Sequence, residues 1–107
     1  IYLPVAGVSI RYRHRIIAFR SLEMRTRIIF HDDRFIYFEQ VLLLKDGRCA
    51  VQSLVRVAAV QNAKLISPKE AAEKVLGIPL EPMICPDWVK KWIQAEAQRP
   101  WPPELSN

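Results

Sequence analysis

Three successive runs of apolar and polar alternation, covering most of residues 8 to 44, constrain this chain more than any other feature. Alternate side chains point to opposite faces of a strand, so each run reads as a half-buried β-strand. In "VSIRYRHRII", Val8, Ile10, Tyr12, His14 and Ile16 share one face, while Ser9, Arg11, Arg13 and Arg15 share the other. The second run sets Leu22, Met24, Thr26, Ile28 and Phe30 against Glu23, Arg25, Arg27 and Ile29, and a third strand runs from Phe35 to Leu44. A two-residue loop at Asp32-Asp33 would oppose Phe30 to Phe35, Ile28 to Tyr37, Met24 to Val41 and Leu22 to Leu43, so that apolar meets apolar. Asp-Asp is a weaker turn signal than Asn-Gly, because neither residue takes positive φ as cheaply as glycine. A longer loop or a bulge is the alternative.

Asp46-Gly47, inside "KDGR", is the strongest hairpin signal, and a fourth strand follows from Arg48 to about Gln61. The period then changes. Ser67 as N-cap, Pro68 at the first helical position and Glu70 at the third predict a helix that continues through Leu76 and closes at Gly77. After Pro79, Pro82 and Pro86, the stretch "PDWVKKWIQAEA" places Trp88, Val89, Trp92 and Ile93 on one helical face. Residues 98 to 107, ending in "RPWPPELSN", read as an extended tail.

With 107 residues, half of them apolar, the chain can bury one core and has no room for a second domain, so residues 1 to 107 read as a single domain. A formal charge of +5 makes polyanions, anionic cofactors and acidic membrane surfaces all plausible partners. Cys49 and Cys85 are the only cysteines, which fits a reducing cytoplasm better than a disulfide framework. Arginine interrupts every long apolar stretch, so no segment reads as a membrane span.

Few residues carry recognisable chemistry. His14 and His31 stand far apart and at no ligand spacing, so no metal site is expected. Gly7, Gly47 and Gly77 make no phosphate-cradling loop, and no cofactor is implied. Cys85, just before Pro86, could cap the second helix as a thiolate, although a plain loop cysteine is the ordinary reading. Glu39 falls between Tyr37 and Val41 and is a weak candidate for an acid or base; the commoner role is a pair with an arginine, here Arg56 on the next strand. Arg11, Arg13 and Arg15 on one strand, Arg25 and Arg27 on another, and Arg20 between them form the clearest polar pattern. Like charges at this density need carboxylates, solvent or a bound anion.

The order of these elements resembles the hot-dog thioesterase superfamily, the 4-hydroxybenzoyl-CoA thioesterase-like group. The resemblance rests on a "Y-R" strand, the "L-E-M-R-T" strand, the "Y-F-E-Q" strand, the "D-G" hairpin and the later "SPKEAAEKVL", and covers roughly residues 8 to 97. Within the group it is most similar to thioesterase-superfamily-member proteins of the acyl-CoA thioesterase-like kind. It implies an α+β hot-dog fold, a curved antiparallel sheet with four strands in this chain and helices at its C-terminus. It also implies that the first strand pairs with the fourth, and with its own copy in a homodimer, rather than with the second. The family's first strand and central helix, which hold the catalytic aspartate in many members, would lie upstream of Ile1, so no catalytic residue is carried over.

The function implied is binding or hydrolysis of an acyl-CoA-type thioester in the cytoplasm, with Arg11, Arg13, Arg20, Arg25 and Arg27 as candidates for the CoA phosphates. A domain that kept the shape without the activity is the alternative. A rival of another class is a nucleic-acid-binding sheet that stacks bases on Tyr12, Tyr37 or Phe38.

Overall fold

The computed structural model describes residues 1 to 17 and 21 to 105. Its strands are β1 (Val5–Tyr12), β2 (Leu22–His31), β3 (Phe35–Leu44), β4 (Cys49–Gln61) and β5 (Lys64–Ile66), followed by helices α1 (Pro68–Leu76) and α2 (Asp87–Gln98). The sheet is antiparallel in the order β1-β4-β3-β2, with the short β5 also paired to β4. The first strand thus pairs with the fourth, as the resemblance implies. The fifth strand is a correction to the expected four: Asn62 and Ala63 both take positive φ, 54° and 62°, and turn the chain back on itself without a glycine.

The β2–β3 hairpin corrects the expected register. Asp32 Oδ1 accepts from the amides of Arg34 and Phe35, both at 2.8 Å, so Asp32 opens the turn and Asp33-Arg34 form its tip. This is the local side-chain cap for which aspartate is favoured in turns. Phe30 therefore lies opposite Tyr37, not Phe35, and a bulge between Ile28 and Phe30 resets the pairing to Ile28 with Phe38, Met24 with Leu42 and Leu22 with Leu44. A bulge sends one extra residue to the same side. Ile29 and Phe30 consequently both pack with Tyr37.

The Asp46-Gly47 hairpin forms as expected, with a three-residue loop. Gly47 N–H donates to the Leu44 carbonyl at 2.8 Å and Leu44 N–H to the Arg48 carbonyl at 2.8 Å, and Gly47 takes φ +90°, which glycine adopts without a Cβ clash. The first helix is also as read. Ser67 Oγ accepts from Glu70 N–H at 3.1 Å, and Gly77 closes the helix in the left-handed conformation with its N–H on the Glu73 carbonyl.

Helix α2 decides where the core lies. Its Val89 is fully buried and packs with Leu54 of β4, Tyr37 of β3 and Ile29 of β2, with Phe30, Phe35, Cys85, Trp92 and Ile93 around them. This sheet face carries Gly7, Ser9 and Arg11 of β1, Gln52, Leu54 and Arg56 of β4, Tyr37, Glu39 and Val41 of β3, and Arg25 and Arg27 of β2. Close approach at Gly7 has a steric cause, since a Cβ there would sit 3.1 Å from Trp92 Cη2.

The opposite face is the apolar one. It presents Val8, Ile10 and Tyr12 of β1, Val51 and Val55 of β4, Phe38 and Leu42 of β3, and Met24 and Ile28 of β2. Alternation assigns these residues to a core, yet Val8, Ile10 and Met24 are 47%, 47% and 62% exposed.

Candidate functional site

The long strands put the polar candidates on the α2 face of the sheet, beyond the end of the helix. Glu39 stands there in the middle of β3, and its two oxygens are both engaged. Oε1 accepts from Arg27 Nε at 2.9 Å and Oε2 from Gln52 Nε2 at 3.0 Å. Its partner is thus Arg27 across β2 and not Arg56, because Arg27 lies directly opposite Glu39 whereas Arg56 lies opposite Tyr37.

Arg56 instead lies between rings. Its guanidinium carbon is 4.6 Å from the Phe35 centroid and 5.2 Å from that of Trp92, a cation–π pairing on two sides. Its Nη2 donates to the Ala6 carbonyl at 3.4 Å, and its buried Nε has no hydrogen-bond partner among the described residues. Beside it, Tyr37 donates from its hydroxyl to Asp32 Oδ2 at 3.3 Å. Burial, first, and then the Asp32 carboxylate push the Tyr37 phenol up to about 12.

The arginines divide. Arg25 pairs with Glu23 at 2.9 Å on exposed surface. Arg11 lies on β1 and Arg25 and Arg27 on β2, the two outer strands of the four-strand path, so three strand spacings, roughly 14 Å, separate them. Arg13 and Arg15 correct the expectation of a common strand face with Arg11. Strand β1 ends at Tyr12, and the amides of Arg13 and His14 both turn to the Ala50 carbonyl, at 2.8 and 3.3 Å. Arg20 lies outside the described residues.

Two clefts involve residues that sequence reasoning left aside. One, of about 290 Å³, opens where Trp88 and Trp92 of α2 overhang Ser9, Arg11, Gln52 and Leu54. The other, of about 590 Å³, lies at the end of the sheet where β2 and β4 begin and β3 ends, and Arg15, Lys45 and Arg48 reach it. Lys45 and Arg48 flank the Asp46-Gly47 turn. Their charges were in plain view in "KDGR", but that motif reads first as a turn.

Cys85 follows the ordinary of its two readings, a loop cysteine. Helix α2 starts from Pro86 without a side-chain cap, and burial, the largest cause, pushes the Cys85 thiol up rather than favouring a thiolate. Among the described residues no group of three or more histidine, cysteine, aspartate or glutamate side chains could hold a metal ion. No helix among them is long and apolar enough to cross a membrane.

Solved structures share this arrangement of strands. A thioesterase from Thermus thermophilus, complexed with coenzyme A and Zn, superposes with a TM-score of 0.60 over 67% of this chain and 57% of that one, at 15% identity. This chain has a hot-dog fold. A DHNA-CoA thioesterase from Staphylococcus aureus matches the hot-dog chain with a TM-score of 0.55 over 89% of it and 56% of the bacterial enzyme, at 12% identity. In sequence, the hot-dog chain is 30% identical over 93 residues to Protein THEM6 of Xenopus laevis, which covers 86% of this chain and 43% of that protein. The chain therefore spans less than half the length of that curated relative. No protein-family model matches it.

Proposed function

We propose that this hot-dog chain contributes the acyl-pocket wall of a protein that binds and hydrolyses an acyl-CoA-type thioester. The observation that carries the reading is the apolar face opposite α2. Side chains from four neighbouring strands form it, and the apolar ones of the outer strands are 38% to 75% exposed. An exposed apolar surface of this kind, crossed by the polar row Thr26, Gln40 and Ser53, marks a binding or packing surface rather than ordinary solvent-facing sheet. An acyl chain matches its chemistry, and the likeness to two thioesterase folds supports that occupant.

In this reading Glu39 does not act as the base. It sits on the sheet face away from the apolar wall, with both oxygens occupied by Arg27 and Gln52. The carboxylate that activates water, and a backbone N–H that polarises the thioester carbonyl, would come from the segment that the family resemblance sets before the first strand. Arg11, Arg13, Arg25 and Arg27 remain candidates for phosphate contact, with Arg11 and Arg13 the less encumbered because Arg25 and Arg27 hold carboxylates. Assembly as a homodimer, through the edge of β1 that has no neighbour among the described strands, belongs to the same reading, as does a cytoplasmic setting that keeps Cys49 and Cys85 free.

The base-stacking alternative loses its platform. Tyr12 and Phe38 lie on the apolar face, while Tyr37 lies on the other and is 1% exposed. The test is release of free thiol from acyl-CoA substrates of graded chain length, followed with a thiol-reactive dye. Release that rises with chain length and falls when Ile10 or Met24 is made polar supports the proposal; no release and no binding of any acyl-CoA refutes it.

A further inference from the structure

We propose that the cleft between α2 and the sheet binds a sugar acid, a pyranose ring that carries a carboxylate. The inference goes beyond the thioester reading, because this cleft lies on the sheet face away from the apolar wall. It assigns Arg11, otherwise a candidate for phosphate contact, to a second ligand. At about 290 Å³ the cleft is near the small end of the range for ligand sites, with room for a single ring rather than a long chain.

Its two walls differ in chemistry. The sheet wall is a square of side chains, since Ser9 lies opposite Leu54 and Arg11 opposite Gln52. From the rise and spacing of β-strands the square measures roughly 7 Å along the strands and about 5 Å across them. All its corners but Leu54 can hydrogen-bond, and Arg11 is a cation that makes no ion pair among the described residues. The other wall is the indole pair Trp88 and Trp92, one turn apart on α2.

Much of this arrangement is ordered in advance. Glu39 Oε2 accepts from Gln52 Nε2 at 3.0 Å, and a carboxylate can only accept, so the Gln52 amide is fixed with its carbonyl oxygen left over. Glu39, which lies opposite Leu54, is itself paired with Arg27 at 2.9 Å, and this offsets its charge toward an incoming anion. Trp92 is held edge-on to Tyr37, with ring centroids 6.5 Å apart, and lies 5.2 Å from the Arg56 guanidinium carbon. Groups already ordered lose less freedom when a ligand arrives.

A ligand has to satisfy both walls. An alkyl chain would leave Arg11 and the Gln52 carbonyl without partners, and an inorganic anion would leave the indoles uncovered. An aromatic acid is apolar on both faces, one of which would lie on the polar corners. A pyranose presents C–H groups on its face, which suit the electron-rich face of an indole. Its edge hydroxyls can donate to the Gln52 carbonyl and exchange hydrogen bonds with Ser9. A carboxylate on the ring completes the set through a fork-to-fork pair with the Arg11 guanidinium.

Titration of the isotope-labelled protein with glucuronate, glucose and phenylacetate, followed by NMR, tests the proposal. The three indole N–H signals report the place of binding. Those of Trp88 and Trp92 should shift with glucuronate, while that of Trp101, 82% exposed in the tail, should stay where it is. Glucose, without the carboxylate, and phenylacetate, without the hydroxyls, should each bind roughly tenfold more weakly or worse. Arg11→Gln should weaken glucuronate by about tenfold and leave glucose unchanged, and circular dichroism should show the variant folded. Arg11→Lys, which keeps the charge without the fork, should fall between wild type and Arg11→Gln. Phenylacetate that binds as tightly as glucuronate overturns the sugar assignment, as does glucuronate binding that Arg11→Gln leaves unchanged. A shift of the Trp101 signal alone, or no shift with any of these compounds, overturns the site.

Discussion

Leu54→Ala is the substitution that most directly tests which sheet face holds the core. Leu54 is 1% exposed in the central strand β4, where it meets Val89 of α2 and Tyr37 of β3. Truncation removes three buried carbons, a transfer loss of roughly 2 kcal/mol, and leaves a void that adds about 1 to 2 kcal/mol if the helix cannot collapse into it. The expected total is about 3 kcal/mol, a large part of the stability of a domain this size. The control is Ile10→Ala on the opposite face, 47% exposed, for which less than about 1 kcal/mol is expected. Urea unfolding followed by tryptophan fluorescence reads both, since Trp92 packs against this core. A Leu54→Ala loss below about 1 kcal/mol, or an Ile10→Ala loss that exceeds it, would refute the placement of the core between α2 and the arginine-bearing face.

Three further outcomes follow from local geometry. Because the Tyr37 phenol is raised to about 12 in the folded chain, its contribution to stability is complete below about pH 10 and is lost as pH rises toward 12; Tyr37→Phe should flatten that alkaline decline in urea-melt stability. Ala63→Gly should stabilise by roughly 0.5 to 1 kcal/mol, since Ala63 sits at φ 62° where a Cβ is strained, and a lowered unfolding midpoint would contradict this. Cys85 should react with iodoacetamide more slowly than a small-molecule thiol at about pH 8, because burial raises its pKa; mass spectrometry of the alkylated peptide measures the rate.

The helices and the Asp46-Gly47 hairpin were legible because their signals are local. Ser67 Oγ satisfies the Glu70 amide and Pro68 brings no amide that needs a partner, whatever the rest of the chain does, and Gly77 and Gly47 take the positive φ that glycine favours. The β2–β3 register was not legible. The turn opens at Asp32 rather than at His31, one residue later than a loop at Asp32-Asp33 requires, and the bulge at Ile29 then moved Phe30 across the sheet. The β4–β5 turn escaped notice because neither Asn62 nor Ala63 is glycine.

The candidate site divides in the same way. Arg11, Arg25 and Arg27 were visible as charges on alternating strands, but the partner of Glu39 depends on which residue stands across from it. The gathering of Arg15, Lys45 and Arg48 joins residues from separate segments and has no signature in either.

By itself, then, the sequence determined the four long strands, their two chemically distinct faces, both helices and a net positive charge, because periodicity, caps and composition act over a few residues. Only the tertiary structure decided that α2 covers the polar face rather than the apolar one. Burying Val89 and Trp92 against Leu54, Tyr37 and Arg56 requires strands β1, β4 and β3 to be side by side, and no local pattern encodes that adjacency.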